Sequence, residues 1–415
     1  MRLPTYTVSQ VLAGNSQVID LRSPAEFQRD HMPGAVNVPL LDDEQRAIIG
    51  TLYKRESPQR AFREGLHIIE ARMGRMLERI LGRPLGAEDW QQQFHDLAEK
   101  MALSPAGLEA PQVLLEAEST PPAATDVTPA PLIVHCWRGG MRSQSVAMLL
   151  HALGQPVGLL AGGYKAYRQW LMAHWQQLKP TKLPFIVLRG PTGVGKTDIL
   201  RRMEALQPGS TLDLEGLAAH RSSVLGAVGL EPVSQPKFES NLWNRLAQLG
   251  VLGPQDGDSQ GRQTSSATRT LPIFVEGESR KVGDSEIPAA VFAAMGSAPQ
   301  VHLTASTAYR IEELGREYLA TEEHKRQTLA SLGALDRKLG HKVVAKLREQ
   351  IESGEWRQAA AILLERHYDP LYRRDDLGRD WLLELEVDSQ CGIDAVARRL
   401  LQLLPSSAIG GGIGG

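Results

Sequence analysis

Short apolar runs recur along the chain, each closed by polar residues or by glycine. They are Val18–Leu21, Leu132–Val134, Val157–Leu160, Phe185–Leu188, Thr211–Leu214, Ile273–Glu276, Val301–Thr304 and Leu382–Val387. Runs of this length bounded by turn signals predict buried strands. Helical patterns lie between them: after Ser23, from Ser143 to Leu153, from Tyr164 to about Leu178, and through Met203. Between Asp42 and about Lys100 the spacing turns helical, with Ile48, Ile49 and Leu52, then Leu66, Ile68, Ile69, Met73 and Met76 among many charges. Strands separated by helices predict an α/β protein with parallel, doubly wound sheets.

The pattern breaks at Lys179-Pro180-Thr181, which divides the chain into a domain over 1–178 and a second over 182–405. The first carries a helical insertion at about 42–103 and a linker-like Pro/Ala/Thr/Glu stretch at 104–131. Residues 253–270 read as a mobile loop and 406–415 as a flexible glycine-rich tail. A length of 415 residues suits two cores rather than one. A net charge of −2 carries no overall basic signature of a nucleic-acid binder, although one basic face remains compatible with it. Two cysteines, Cys136 and Cys391, give no disulfide framework and suit a reducing compartment. Without a signal-like N-terminus or a run of 18 apolar residues, the expected location is cytoplasmic, with no membrane partner.

Two segments carry chemistry. Gly190-Pro-Thr192-Gly193-Val-Gly195-Lys196-Thr197 is a complete G-x-x-x-x-G-K-[ST] phosphate loop, set between an expected strand and an expected helix. Its glycines let backbone N–H groups turn towards phosphate oxygens, and the helix N-terminus adds favourable potential. Lys196 would neutralise a diphosphate, and Thr197 would hold Mg²⁺ if one is used. The candidate acids are Glu276, at the end of an apolar run, and Asp213; for each, a strand-end surface carboxylate is nearly as good a reading. The second segment is Leu132-Ile-Val-His-Cys136-Trp-Arg138-Gly-Gly-Met-Arg142-Ser143. A cysteine after a buried strand, a glycine pair and a following helix form a cradle for negative charge on the sulfur or on an oxyanion brought to it. Arg138 and Arg142 supply charge that pairs bidentately with phosphate-like groups. Cys391, in Asp-Ser-Gln-Cys-Gly, has no such arginines. Arg221, Arg280 and Lys281 are candidate RNA or diphosphate contacts, with solvated surface charge as the plainer reading.

Asp20-Leu-Arg22-Ser-Pro-Ala-Glu26-Phe, His31-Met-Pro-Gly34-Ala-Val-Asn-Val-Pro39, the Cys136 loop and Leu160-Ala-Gly-Gly163-Tyr-Lys-Ala-Tyr resemble successive motifs of the rhodanese family. With the phosphate loop, Leu212-Asp-Leu-Glu-Gly-Leu-Ala-Ala-His-Arg221 and His367-Tyr-Asp-Pro-Leu-Tyr372, nearly the whole chain is similar to the tRNA 2-selenouridine synthase family. That resemblance implies a rhodanese-like α/β domain with a helical insertion, followed by a P-loop NTPase-like parallel-sheet α/β domain. It implies a transferase acting on tRNA with 2-thiouridine at the wobble position. Geranyl diphosphate would alkylate the sulfur, and selenophosphate, from a supplying enzyme, would then replace the S-geranyl group. Cys136 would be the chalcogen carrier and Arg138 and Arg142 its anion clamp, with Gly190, Thr192, Gly193, Gly195, Lys196 and Thr197 on the diphosphate. The residues leave open whether ATP or Mg²⁺ takes part and which oligomer forms. Other readings are a nucleotide-dependent sulfurtransferase, a kinase or ATPase with a regulatory rhodanese module, and a Cys-x5-Arg phosphatase.

Overall fold

The computed structural model describes residues 3–102, 131–252, 271–375 and 378–405. The linker-like stretch (apart from Pro131), the loop at 253–270 and the tail fall outside them. The chain divides between Gln176 and Gln177 into two compact units.

The first unit is built on a five-stranded parallel sheet. Its strands are β1 (Thr5–Tyr6), β2 (Val18–Asp20), β3 (Val36–Asn37), β4 (Leu132–His135) and β5 (Val157–Leu160), in the order β1-β5-β4-β2-β3. The strand β1 was not among the expected runs, because two half-buried residues give no periodic signal. Between β3 and β4 the chain forms three helices, Asp43–Arg55, Pro58–Leu81 and Ala87–Ala102. Ser57 caps the longest by accepting from the Arg60 N–H, Pro58 follows at the first turn, and Gly82 closes it in the left-handed conformation. One face of this helix buries Met73, Met76, Leu77 and Ile80, and Trp90 and Phe94 join them from the next helix. These side chains share one core with Ile19, Val134 and Leu150, so the inserted segment is part of the first unit's interior. Each large apolar side chain buried this way contributes about 1.5–3 kcal/mol.

Beneath the sheet's C-terminal edge lies a buried polar network. Arg22 chelates Asp20 through Nε at 3.0 Å and Nη2 at 2.6 Å, and also donates to the Asp30 carbonyl at 2.7 Å. Its guanidinium lies 3.6 Å from the centre of the Tyr164 ring, and the Tyr164 hydroxyl donates to Asp30 Oδ2 at 2.7 Å. His135, fully buried, stands 3.8 Å from Asp20. Burial alone would raise the Asp20 pKa, but His135 and then the Arg22 hydrogen bonds and charge outweigh it and hold the carboxyl below its usual range. Burial pushes His135 down, against the pull of Asp20, so it is neutral at pH 7. Both groups bind protons less readily folded than unfolded, so acid destabilises through both. The contribution of His135 is present above pH 6.5 and is lost as pH falls below it. That of Asp20 is present above 3.8 and is lost below that value. Urea unfolding should therefore show stability falling in two stages on acidification. Asp20→Asn should cost about 3–5 kcal/mol at pH 7 by leaving a buried guanidinium without its counter-charge; an unchanged urea midpoint would refute the network's role.

The second unit holds another five-stranded parallel sheet. It comprises β6 (Phe185–Arg189), β7 (Thr211–Leu212), β8 (Ile273–Glu276), β11 (Gln300–Thr304) and β12 (Leu383–Glu386), ordered β12-β11-β6-β8-β7. The run at Thr211–Leu214 is shorter than its apolar pattern suggests, because Asp213 caps a helix that begins at Leu214. A two-stranded antiparallel ribbon, β9 (Lys281–Val282) with β10 (Ser285–Glu286), follows β8. The sheet core joins Ile186, Leu188, Ile199, Leu200, Phe274 and Leu303 to Val396 and Leu400 of the final helix Gln390–Leu401. A separate helical core gathers Leu314, Tyr318, Leu332, Leu347, Leu363 and Tyr368. Among the described residues no helix is long and apolar enough to cross a membrane.

Candidate functional site

In the first unit, Cys136 is the first residue beyond β4, and the helix Met141–Ala152 begins after Gly140. The sulfur is 3.3 Å from Ser143 Oγ, and that hydroxyl donates to the Gly140 carbonyl at 3.0 Å. The loop closes against the Gly162-Gly163 turn: Tyr164 N–H donates to the Cys136 carbonyl and Lys165 N–H to that of Trp137, both at 2.9 Å. Only glycine fits at 163, where φ is +60° and a β-carbon would lie 2.4 Å from the Cys136 oxygen. The polar network described above supports the same turn from below through Tyr164. Arg138 is exposed and Arg142 half-buried. Neither guanidinium has a partner among the described residues, which leaves both free to meet an oxyanion at the loop. Trp137 is exposed beside them, its ring 5.3 Å from Tyr164. Cys391 falls in the first turn of the helix Gln390–Leu401 in the second unit.

In the second unit, the phosphate loop joins the central strand β6 to the helix Lys196–Leu206. Gly190 is required by a φ of +149° and by the Leu303 carbonyl, 2.3 Å from where a β-carbon would sit. Lys196 Nζ donates to the Gly190 carbonyl at 2.8 Å, curling back over its own loop. Burial opposes the Lys196 charge, but Tyr372, Glu278, Glu215 and Glu276 outweigh it and raise its pKa, so the charge is secure at pH 7. The Thr197 hydroxyl donates to Glu215 Oε2 at 2.8 Å, and Glu215 accepts from Ser222 N–H through its other oxygen. Glu276, fully buried at the end of β8, accepts the Glu215 N–H at 2.8 Å through Oε1, while Oε2 has no hydrogen-bond partner among the described residues. Burial, then Asp213 and Glu215, push its pKa well above the usual carboxylate range. Half-buried Glu278 is pushed up to about 7, by burial first and then by Glu215.

Of the two candidate acids, Glu276 therefore faces the phosphate-loop cluster. Asp213 caps the helix Leu214–Ala218, accepting from Gly216 N–H at 2.6 Å, and meets Arg201 at 3.4 Å. Among the described residues no cluster of His, Cys, Asp and Glu is arranged to hold a metal ion. Arg221 is engaged within the protein, donating to the Val228 carbonyl at 2.9 Å and lying 3.9 Å from Glu317 and 5.5 Å from the centre of the Tyr318 ring. Arg280 pairs with Glu286 at 2.7 Å, and Lys281 is exposed on the adjoining ribbon.

Several residues at this loop escape a reading by motif alone. Arg310, buried on the helix Thr307–Tyr318, donates to the Thr192 carbonyl at 2.8 Å and pairs with Asp369 at 2.5 Å. Tyr372 accepts from the Thr192 hydroxyl at 3.1 Å, and its ring centre lies 5.4 Å from Lys196 Nζ. Asp369 and Tyr372 belong to the His367–Tyr372 segment, whose motif is visible but whose target is not. Nothing local marks Arg310, since its partners lie 59 and 118 residues away.

A cysteine cradle on one parallel sheet and a phosphate loop on another define a rhodanese-like unit fused to a P-loop unit. Residues 5–70 match the rhodanese-like domain, and residues 183–384 match the AAA domain of tRNA 2-selenouridine synthase. Similar chains include the tRNA 2-selenouridine synthase of Salmonella typhi, 30% identical over 391 residues covering 88% of this chain and 90% of that one. That of Shewanella sp. (strain MR-4) is 28% identical over 396 residues, covering 89% and 87%. That of Nitrosomonas europaea is 28% identical over 324 residues, covering 77% and 69%. The chain belongs to the tRNA 2-selenouridine synthase family, and it is an enzyme.

Proposed function

We propose that the chain converts wobble 2-thiouridine of tRNA to 2-selenouridine in two steps, one at each loop. In the first, geranyl diphosphate rests its diphosphate on the Gly190–Thr197 loop. The 2-thio sulfur forms a bond to the allylic carbon, the carbon–oxygen bond breaks, and diphosphate leaves with the electron pair against the Lys196 charge. The N3 proton of the base passes to Glu278. In the second, selenophosphate binds at the Cys136 loop, its oxygens met by Arg138 and Arg142. Its selenium forms a bond to C2, geranylthiolate leaves with the carbon–sulfur pair, and the phosphoryl group is passed to water. Cys136, at the start of that loop, positions the selenium against C2 and forms no covalent bond to it. Alkylation must come first, because a thiocarbonyl sulfur is a poor leaving group and an alkylated one is a good one.

The observation that carries this reading is the co-occurrence of the Cys136 cradle, with two uncommitted arginines, and an intact phosphate loop in one chain of this family. The test supplies the purified protein with tRNA bearing 2-thiouridine, geranyl diphosphate and selenophosphate, without ATP, and reads the nucleosides by mass spectrometry. Formation of 2-selenouridine through S-geranyl-2-thiouridine is expected; a strict need for ATP would replace this reading with a nucleotide-driven one. Phosphate contacts must supply most of the tRNA affinity despite a net charge of −2. Binding should accordingly weaken about tenfold or more between 50 and 200 mM salt by filter binding or anisotropy. No binding at low salt would sink the tRNA reading.

A further inference from the structure

The helical segment between β3 and β4 carries a charge pattern that neither loop uses. From Arg46 to Arg83 it holds nine Lys and Arg against four Asp and Glu, whereas the whole chain holds 46 against 48. The fold puts this surplus in order. On the helix Pro58–Leu81, Arg63, His67, Ala71, Arg75 and Arg79 follow at steps of four and are all exposed, and Arg83 is exposed just past its end. Residues four apart are neighbours on a helix, so these form a slowly winding stripe about 24 Å long from Arg63 to Arg79. The other side of the helix buries Met73, Met76, Leu77 and Ile80. Arg63, Arg75, Arg79 and Arg83 have no hydrogen-bond or ion-pair partner among the described residues. Two of the helix's three acids are turned elsewhere. Glu78 accepts from the Leu85 N–H at 3.1 Å, and Glu70 stands 3.4 Å from His95 Nε2.

The stripe crosses the edge of the sheet at which the Cys136 loop begins. Leu40 N–H donates to the Leu21 carbonyl at 3.2 Å, and Leu21 N–H to the His135 carbonyl at 2.9 Å. The chain therefore leaves the sheet towards Asp42 at the level where Cys136 follows β4. Asp42 caps the helix Asp43–Arg55, which runs outward to the turn before Ser57. The longer helix returns beside it, with Arg72 donating to Gln45 at 2.7 Å and standing 3.4 Å from Asp42. Arg72 thus marks the crossing, with Arg63 beyond the edge and Arg75 and Arg79 back alongside the sheet. At the outer turn Tyr53, Lys54 and Arg55 are exposed together, an aromatic ring beside two charges.

A row of free guanidinium groups with no apolar neighbour but Ala71 suits a chain of phosphates. Anionic lipid would meet the same charges, but a helix that lies in a membrane surface also sinks an apolar face into it. This helix has its apolar face in the core of the unit. We propose that Arg63, Arg75, Arg79 and Arg83 form a docking surface for the phosphate backbone of the substrate RNA, beside the edge that carries Cys136. The proposal rests on the reading of tRNA as the substrate and adds where its backbone is held. Phosphate contacts fix register and carry no sequence information, so this surface holds the body of the RNA and leaves the choice of nucleotide to the loops.

The test measures tRNA binding by fluorescence anisotropy between about 50 and 200 mM salt for the full chain and two double variants. One is Arg75→Gln/Arg79→Gln. The other, Arg326→Gln/Arg357→Gln, removes the same net charge from arginines already paired with Glu323 and Glu312. Glutamine is a good helix former, so both variants should fold. The Arg75/Arg79 variant should bind about tenfold more weakly, with a salt slope lower by about one for each arginine. The loss should be the same for tRNA with and without 2-thiouridine, and KM for tRNA should rise by the same factor. The Arg326/Arg357 variant should stay within about twofold of wild type. Arg75→Lys/Arg79→Lys keeps the charge and should recover most of the affinity, since a lysine still meets a phosphate as a point charge; no recovery would overturn the proposal. Wild-type affinity and slope in the Arg75/Arg79 variant would overturn the surface and leave the tRNA reading standing. Equal losses in both glutamine variants would also overturn it, because net charge rather than the stripe would then set the affinity. A wild-type chain that binds no tRNA at low salt would take down the tRNA reading and this proposal together. Capture by anionic phospholipid vesicles, lost in the Arg75/Arg79 glutamine variant, would then assign the stripe to a membrane.

Discussion

Cys136→Ser is expected to lower 2-selenouridine formation by about a thousandfold or more while S-geranyl-2-thiouridine accumulates. The substitution leaves the loop in place. Its carbonyls stay bonded to Tyr164 and Lys165, and a hydroxyl at 136 can still meet Ser143, now as an ordinary O–H···O bond. The change in unfolding free energy should stay within about 1 kcal/mol, since no cavity larger than the sulfur–oxygen difference is made. What disappears is the polarisable sulfur, buried at the start of a loop that also carries Arg138 and Arg142. The alkylation step, in the other unit, should be untouched. Mass spectrometry of the tRNA nucleosides distinguishes the outcomes: wild-type selenouridine in a folded Cys136→Ser protein would remove this residue from the mechanism. Loss of both products would mean that Cys136 acts in alkylation as well.

How much of this was legible in the sequence follows from the range of the interactions. Both parallel sheets could be anticipated, because β4, β5, β6 and β8 are fully or nearly fully buried runs with turn residues at their ends. The Cys136 loop and the phosphate loop were equally visible, since strand, glycines and helix start all fall within a dozen residues. The strand β1 was not, being two residues long and half-buried. Within the site, local residues were found and distant ones were not. Arg310 reaches Thr192 across 118 residues, and Asp369 and Tyr372 come from a helix whose own sequence does not show what it touches. Asp213 and Glu276 could not be told apart by pattern, because each follows an apolar run. The structure separates them by one fact: the chain turns into a helix at Leu214, which converts Asp213 into a cap.

Lys196→Ala should fail earlier in the reaction than the cysteine variant. Its ammonium, fixed by its donation to Gly190 and kept charged by the carboxyls around it, is the group placed to offset a departing diphosphate. Its removal should slow alkylation by about 10²–10³-fold, the range for deleting one pre-organised charge or donor from a transition state. Selenation then fails as a consequence, because the 2-thio group never becomes a leaving group. Stability should suffer little: the loop is held independently by the Arg310–Thr192 and Tyr372–Thr192 hydrogen bonds. Giving each variant tRNA that already carries S-geranyl-2-thiouridine, together with selenophosphate, separates the two roles. Lys196→Ala should then make 2-selenouridine at close to the wild-type rate, while Cys136→Ser should not. The opposite pattern would reverse the assignment of the loops. Failure of both would mean that exchange needs the phosphate loop as well, so that the two loops serve one reaction centre rather than two successive ones.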